Sequence, residues 1–133
     1  MRGMKANITK SLPVGANVET CDNSGAKIIQ IISVKGYRSV KRRRALAGVG
    51  DFVTAAVKKG LPAMRKQIVQ AVIVRQRKEY KRPDGVRIVF EDNAAVIVKD
   101  DMGTPKGTIF KGAIAKEVAE RWPPIAKVAS AVI

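Results

Sequence analysis

The chain has 133 residues, with 26 Lys or Arg against 11 Asp or Glu, no histidine and one cysteine, for a formal net charge of +15. That excess repels itself in a compact state unless a polyanion neutralises it, which makes nucleic acid the expected partner; the missing imidazole and the single thiol exclude His-based acid–base catalysis, a His or Cys metal cluster and an internal disulfide. A hydrophobic share of 46% supports one packed domain over residues 1–133. No run approaches the ~18 apolar residues of a spanning helix, and the leading MRGMKANITKSLP has no apolar stretch of signal-peptide length, so a cytoplasmic protein without a membrane partner is expected.

In chain order, residues 16–21 (ANVETC) are a candidate sixth strand ahead of five principal ones, and Asp22-Asn23-Ser24-Gly25 reads as a side-chain-bonded turn. Principal strands follow at 26–35 (AKIIQIISVK), 51–59 (DFVTAAVKK), 67–77 (QIVQAVIVRQR), 86–90 (VRIVF) and 94–99 (AAVIVK), all rich in Val, Ile or Ala. Pro83-Asp84-Gly85 and Asp92-Asn93 supply further turns. Ile68, Val72 and Val74 alternate with Val69, Ala71 and Ile73, so this strand is apolar on both faces. Such a strand suits a mainly β fold, a small closed barrel partly covered by other elements. Past residue 110 the period changes. Ile114, Ala115, Val118 and Ala119 take helical spacing, and Pro123-Pro124 breaks the pattern before a second apolar segment, which predicts two short C-terminal helices within about 112–132.

The unbalanced charge is clustered. Arg38, Lys41, Arg42, Arg43 and Arg44 put five basic residues into seven positions beside Tyr37, within a connection between strands. Arg75, Arg77, Lys78, Lys81 and Arg82 form a second cluster around Tyr80, with Glu79 the only countercharge inside it. Lys58, Lys59, Arg65 and Lys66 make a looser third group, and Lys27 and Lys35 near the ends of the first principal strand complete the candidate set. Cations that neutralise phosphates, interleaved with a ring that stacks on a base or ribose, are what irregular RNA recognition asks for. Loop ends converging on one rim of a barrel would spread that charge over a broad surface. No phosphate-cradling GxxxxGK[ST] loop, zinc-finger spacing or RNP1-type motif is present, so shape and backbone recognition of folded RNA is expected over sequence readout.

Other residues carry two readings each. Cys21 is a nucleophile without a base or a small buried thiol, and burial is the expectation. The pairs Glu91/Asp92 and Asp100/Asp101 admit general acid–base work or a hard-metal site, even a metal-assisted nuclease, yet both adjoin turns and read as solvated loops. No metal, cofactor or small-molecule substrate is expected. Trp122 either anchors the helices on the barrel or offers an apolar contact to a partner protein.

The run from Ala71 to Ile97, AVIVRQRKEYKRPDGVRIVFEDNAAVI, resembles the signature of the universal large-subunit ribosomal protein fourteen family at every position of its pattern. CDNSGAK at 21–27, Gly50-Asp51 and GTIF at 107–110 are similar to the family's other motifs, in the same order. Cys21 in place of a usual Ala, and the longer basic connection over 37–49, depart from the bacterial pattern, and the longer connection resembles the archaeal-eukaryotic branch. The resemblance implies a five-stranded β-barrel with a projecting β-ribbon and C-terminal helices. It also implies a structural constituent of the large ribosomal subunit that binds large-subunit rRNA and meets small-subunit rRNA at a bridge. It implies contacts with large-subunit ribosomal proteins three and twenty-four of the archaeal-eukaryotic type, and presentation of the C-terminal region, here Trp122, Ile125 and Val128, to a subunit anti-association factor. A free-standing RNA-binding chaperone is the alternative that the charge pattern alone leaves open.

Overall fold

Runs of Val, Ile and Ala punctuated by turn residues fold into nine strands and two helices among residues 7–37 and 41–133, which the computed structural model describes. In chain order these are β1 (Leu12–Pro13), β2 (Asn17–Thr20), β3 (Ala26–Val34), β4 (Leu46–Ala47), β5 (Phe52–Gly60), β6 (Ile68–Arg75), β7 (Tyr80–Lys81), β8 (Arg87–Ile88), β9 (Ala94–Val98), α1 (Lys116–Arg121) and α2 (Pro123–Val128). Strands β2, β3, β5, β6 and β9 close a five-stranded barrel. Every pairing is antiparallel except the seam, where β2 runs parallel to β9 through Glu19↔Ala94 and Thr20↔Ala95.

The strand expected over 86–90 is not a barrel strand. Only Arg87–Ile88 is extended and paired, with Tyr80–Lys81 in a two-stranded ribbon, while Val86 and Val89 stand exposed. Its place is taken by β2, within the segment read as a candidate sixth. The reason is that β-branched content reports fitness for a pleated surface, whereas barrel membership depends on which neighbours complete the ladder. Val18 on β2 is buried in the interior while Asn17 and Glu19 face out, a single inward apolar position that composition hardly distinguishes from a loop.

The doubly apolar strands find a partner on each face. Ala71 and Ile73 of β6 with Ala95 and Ile97 of β9 fill the barrel interior beside Ile29, Ile31, Val53 and Ala55. Val72 and Val74 with Val96 and Val98 point outward, where Ile114, Val118, Trp122 and Ile125 cover them. Alternation of side chains along a strand makes the two cores distinct, and each fully buried Val or Ile contributes about 1.5–3 kcal/mol. The helices are shorter than the expected span. Residues before Lys116 stay extended, with the Ala115 amide donating to the Val74 carbonyl, and Pro123 and Pro124 take the first two positions of α2, where no intrahelical donor is needed.

Strand direction sorts the connections. β3 and β6 run the same way, so the β3–β5 connection and the β6–β9 connection, which carry the first two basic clusters, emerge at one end of the barrel. The turns after β2 and β5 emerge at the other. There Gly60, at φ 151°, sits so close to the facing turn that a Cβ would come within 2.5 Å of the Gly25 carbonyl oxygen.

A candidate nucleic-acid interface

The first basic loop stands on a base of buried hydrogen bonds. The N-terminal arm pairs with its descending limb through Leu12↔Ala47 and Pro13↔Leu46. Asp51, 5% exposed, accepts from the Gly48 amide at 2.8 Å and lies 3.4 Å from the Lys10 ammonium and 3.2 Å from the Arg121 guanidinium. Gln76, fully buried, accepts from the Val49 amide at 3.0 Å and donates to the carbonyls of Thr9 at 2.7 Å and Lys78 at 3.0 Å. One amide side chain thus fastens the N-terminal arm, the first basic loop and the start of the second to each other, and all its polar atoms are satisfied.

Above that base Lys41, Arg42, Arg43 and Arg44 are exposed, and among the described residues none has a carboxylate within ion-pair distance. Arg42 takes a left-handed backbone at φ 67°, a conformation uncommon for a residue with a side chain. Tyr37 is half-buried and its hydroxyl donates to the Arg44 carbonyl at 3.3 Å, bracing the loop across its neck. Arg38 lies outside the described residues.

The second cluster divides, and three of its members have partners within the fold. Tyr80 is 1% exposed, its hydroxyl donates to Glu117 at 3.0 Å, and burial together with that carboxylate pushes the phenol up to about 12, so its ring stacks on no base. Arg82 pairs with Glu117 at 2.8 Å and donates to the Ile133 carbonyl at 2.6 Å. Arg75 lies 3.0 Å from Asp92 and donates to the carbonyls of Lys111 and Ala113. These side chains hold the ribbon and the C-terminal segment against the barrel. Arg77, Lys78 and Lys81 remain exposed at this end.

Lys27, Lys58, Lys59, Arg65 and Lys66 are all exposed and belong to the opposite end, so the cations expected to converge on one rim occupy two. Lys35 is exposed at the close of β3, with its ammonium 5.1 Å above the Phe52 ring and 3.8 Å from Asp101.

Trp122, Ile125 and Val128, read as a contact for a partner protein, face inward. Trp122 and Ile125 have no exposed surface, and Val128 is partly buried against the same core. The indole donates to the Gly50 carbonyl at 2.8 Å, its ring lies 5.6 Å from that of Phe52, and Gly103 packs on it so closely that a Cβ would reach 2.5 Å. Trp122 is the anchor of the helices, and Gly50 and Asp51 are its counterpart on the barrel.

The carboxylates and the thiol have structural partners too. Asp22 accepts from the Ser24 hydroxyl and the Ile97 amide, while Asn23 accepts from the Thr108 amide at 2.8 Å, so the CDNSG turn ties the barrel rim to the GTIF segment. Burial pushes the Cys21 thiol up to about 11, which keeps it protonated at neutral pH. Asp100 accepts from the amides of Met102 and Thr104 within its own turn. Sequence reasoning missed Gln76, Glu117 and the role of Asp51. The only available signals were a polar residue ending an apolar run, and an acid in a helix whose partner lies 35 residues earlier.

The sequence model of the family described as ribosomal protein L14p/L23e matches residues 11–133. A protein of Nanoarchaeum equitans named large ribosomal subunit protein uL14 is 55% identical over 133 residues, covering 100% of both chains. One of the same name from Methanothrix thermoacetophila is also 55% identical over the full length of both.

Proposed function

The chain belongs to the ribosomal protein L14p/L23e family, and from that premise we propose that it is a non-catalytic structural constituent of the cytoplasmic large ribosomal subunit that binds large-subunit rRNA through its exposed basic loops. The observation that carries this reading is the run Lys41–Arg44, exposed and without acidic partners on a base locked by Asp51 and Gln76. Folded RNA supplies the missing anions, Arg engages phosphate oxygens bidentately, and a loop already ordered at its base loses less entropy on binding. The barrel is the spacer. β3 and β5, nine residues each, are about 30 Å long, and cations stand at both ends. That arrangement supports the proposal that one end holds large-subunit rRNA while the other meets small-subunit rRNA at a bridge. Large-subunit ribosomal proteins three and twenty-four and an anti-association factor remain proposed partners. With Trp122 and Ile125 enclosed, such a factor would dock on exposed residues of the same C-terminal region such as Val132, which pairs with Ile114. The free-standing chaperone has no support from these relatives.

Replacing Arg42, Arg43 and Arg44 together by Ala tests the reading. Affinity for full-length archaeal large-subunit rRNA is expected to fall roughly 100- to 500-fold at about 0.1 M salt, since each lost phosphate contact forfeits release of ~0.7–0.9 counterion. Unchanged affinity, or wild-type binding that does not vary with salt, would overturn it.

A further inference from the structure

The concavities of the surface differ in sign. One gathers Glu91 and Asp92 with Arg75 and Lys111, and another gathers Glu19 and Asp22 with Lys27, Lys59 and Lys111, so acids offset the cations fully in the first and largely in the second. A third groove holds Lys99 and Lys106 with Thr54, Ile68, Gln70 and Val98, and no carboxylate lines it. It opens where β6 overhangs β9. Their ladder begins at Gln70↔Val98, because the chain after Val98 turns back on itself with the Lys99 amide donating to the Thr104 carbonyl. Ile68 therefore projects past the last residue of β9 and is 71% exposed, the highest value among the large hydrophobic residues described.

The acids that follow Lys99 in sequence do not neutralise it. The Asp100 carboxylate is held by the amides of Met102 and Thr104, and Asp101 lies against Lys35. Lys106 contacts the uncharged sulfur of Met64 at 3.3 Å, and no carboxylate among the described residues lies within ion-pair distance of it. Two lysines with no acidic partner among the described residues, an exposed apolar side chain and the polar groups of Thr54 and Gln70 are thus placed in one open groove. A lysine is a point charge suited to a phosphate, and an exposed aliphatic side chain offers apolar contact to a ribose or an unstacked base that leaves water.

We propose that this groove binds a single strand of RNA, with Lys99 and Lys106 on its phosphates and Ile68 against a sugar or base. The proposal rests on the rRNA-binding reading above and adds a site that none of the basic clusters includes. An acidic protein segment would need the charges but not the apolar contact at Ile68, and it is an outcome the test separates.

The test compares the intact protein with the variants Lys99→Ala/Lys106→Ala and Ile68→Ser, binding full-length archaeal large-subunit rRNA across a salt series. All three side chains are exposed or open to the groove, so folding is expected to survive, and circular dichroism melts check it. The double variant is expected to lose roughly 25- to 60-fold in affinity at about 0.1 M salt and to lower the log–log salt slope by about 1.4–1.8, the contribution of two phosphates. Ile68→Ser is expected to weaken binding roughly 3- to 10-fold with the slope unchanged, since it removes apolar contact and no charge. Steep salt-dependent binding by the wild type that neither variant alters would overturn the groove and leave the rRNA reading standing. A loss in the double variant with none in Ile68→Ser would likewise remove the RNA strand as occupant. Absence of RNA binding by the wild type would overturn both.

Discussion

Residues 37–44 and 75–82 look alike as sequence, each a tyrosine among arginines and lysines, yet Lys41–Arg44 lie on the surface while the second stretch is partly core. The difference lies in acids far away in the chain. Glu117 on α1 draws Tyr80 and Arg82 inward, and Asp92 does the same for Arg75. Nothing comparable reaches Lys41–Arg44, whose side chains stay exposed while only the backbone beneath them is fixed, by Asp51 and Gln76. A basic cluster therefore keeps its charge on offer to a partner only where the fold withholds its countercharges.

The contrast can be broken most severely at the acid that creates it. Glu117→Ala leaves the Arg82 guanidinium and the Tyr80 hydroxyl without their partner at sites 14% and 1% exposed. Removing one member of a buried pair is expected to lower unfolding stability by about 3 kcal/mol. In urea titrations that appears as a lower midpoint, while rRNA affinity changes little; an unchanged midpoint would show that Glu117 does not hold Tyr80 and Arg82 in the fold. Next is Gln76→Leu, which strands the Val49 amide and the Thr9 and Lys78 carbonyls and is expected to cost about 2 kcal/mol. Because it loosens the base of both loops, it should also weaken rRNA binding with no change in salt slope, a signature opposite to that of the Arg42–Arg44 substitutions.

The smallest effect is one of pH. Tyr80 keeps its proton in the folded state up to about 12 and gives it up near 10 when unfolded. The folded state therefore binds more protons between those values, and the stability this contributes, fully present below pH 10, is lost as pH rises through 12. Cys21 adds the same sign over roughly 9 to 11. Tyr80→Phe should flatten the upper part of the alkaline stability curve while leaving the Cys21 part, and a curve identical to wild type would show that the phenol does not couple to folding.

Much of this was readable from residues alone. The strands of the barrel wall announced themselves by Val and Ile, and the double apolarity of 68–74 foretold a covered outer face, which the helices provide. Residues 86–90 carried the same β-branched content but little to bury it against, and residues 17–20 carried less yet had neighbours on both sides. Trp122 at the helix break admitted two roles until Gly50 and Phe52 were seen to enclose it. The split of the cations was hidden for a related reason: pairing across 17 or 35 positions is a property of the folded chain, and local spacing does not encode it.

The parallel seam of the barrel also sets an order in time. Glu19 and Thr20 meet Ala94 and Ala95, and Asp51 meets Arg121, so the earliest-made strand of the barrel waits for its last, and part of the footing of the first basic loop waits for α1. Contacts so distant along the chain form late and slowly. During synthesis the arginines of that loop are therefore made well before the scaffold that aims them, and a growing chain carries its charge unaimed until its final quarter has emerged.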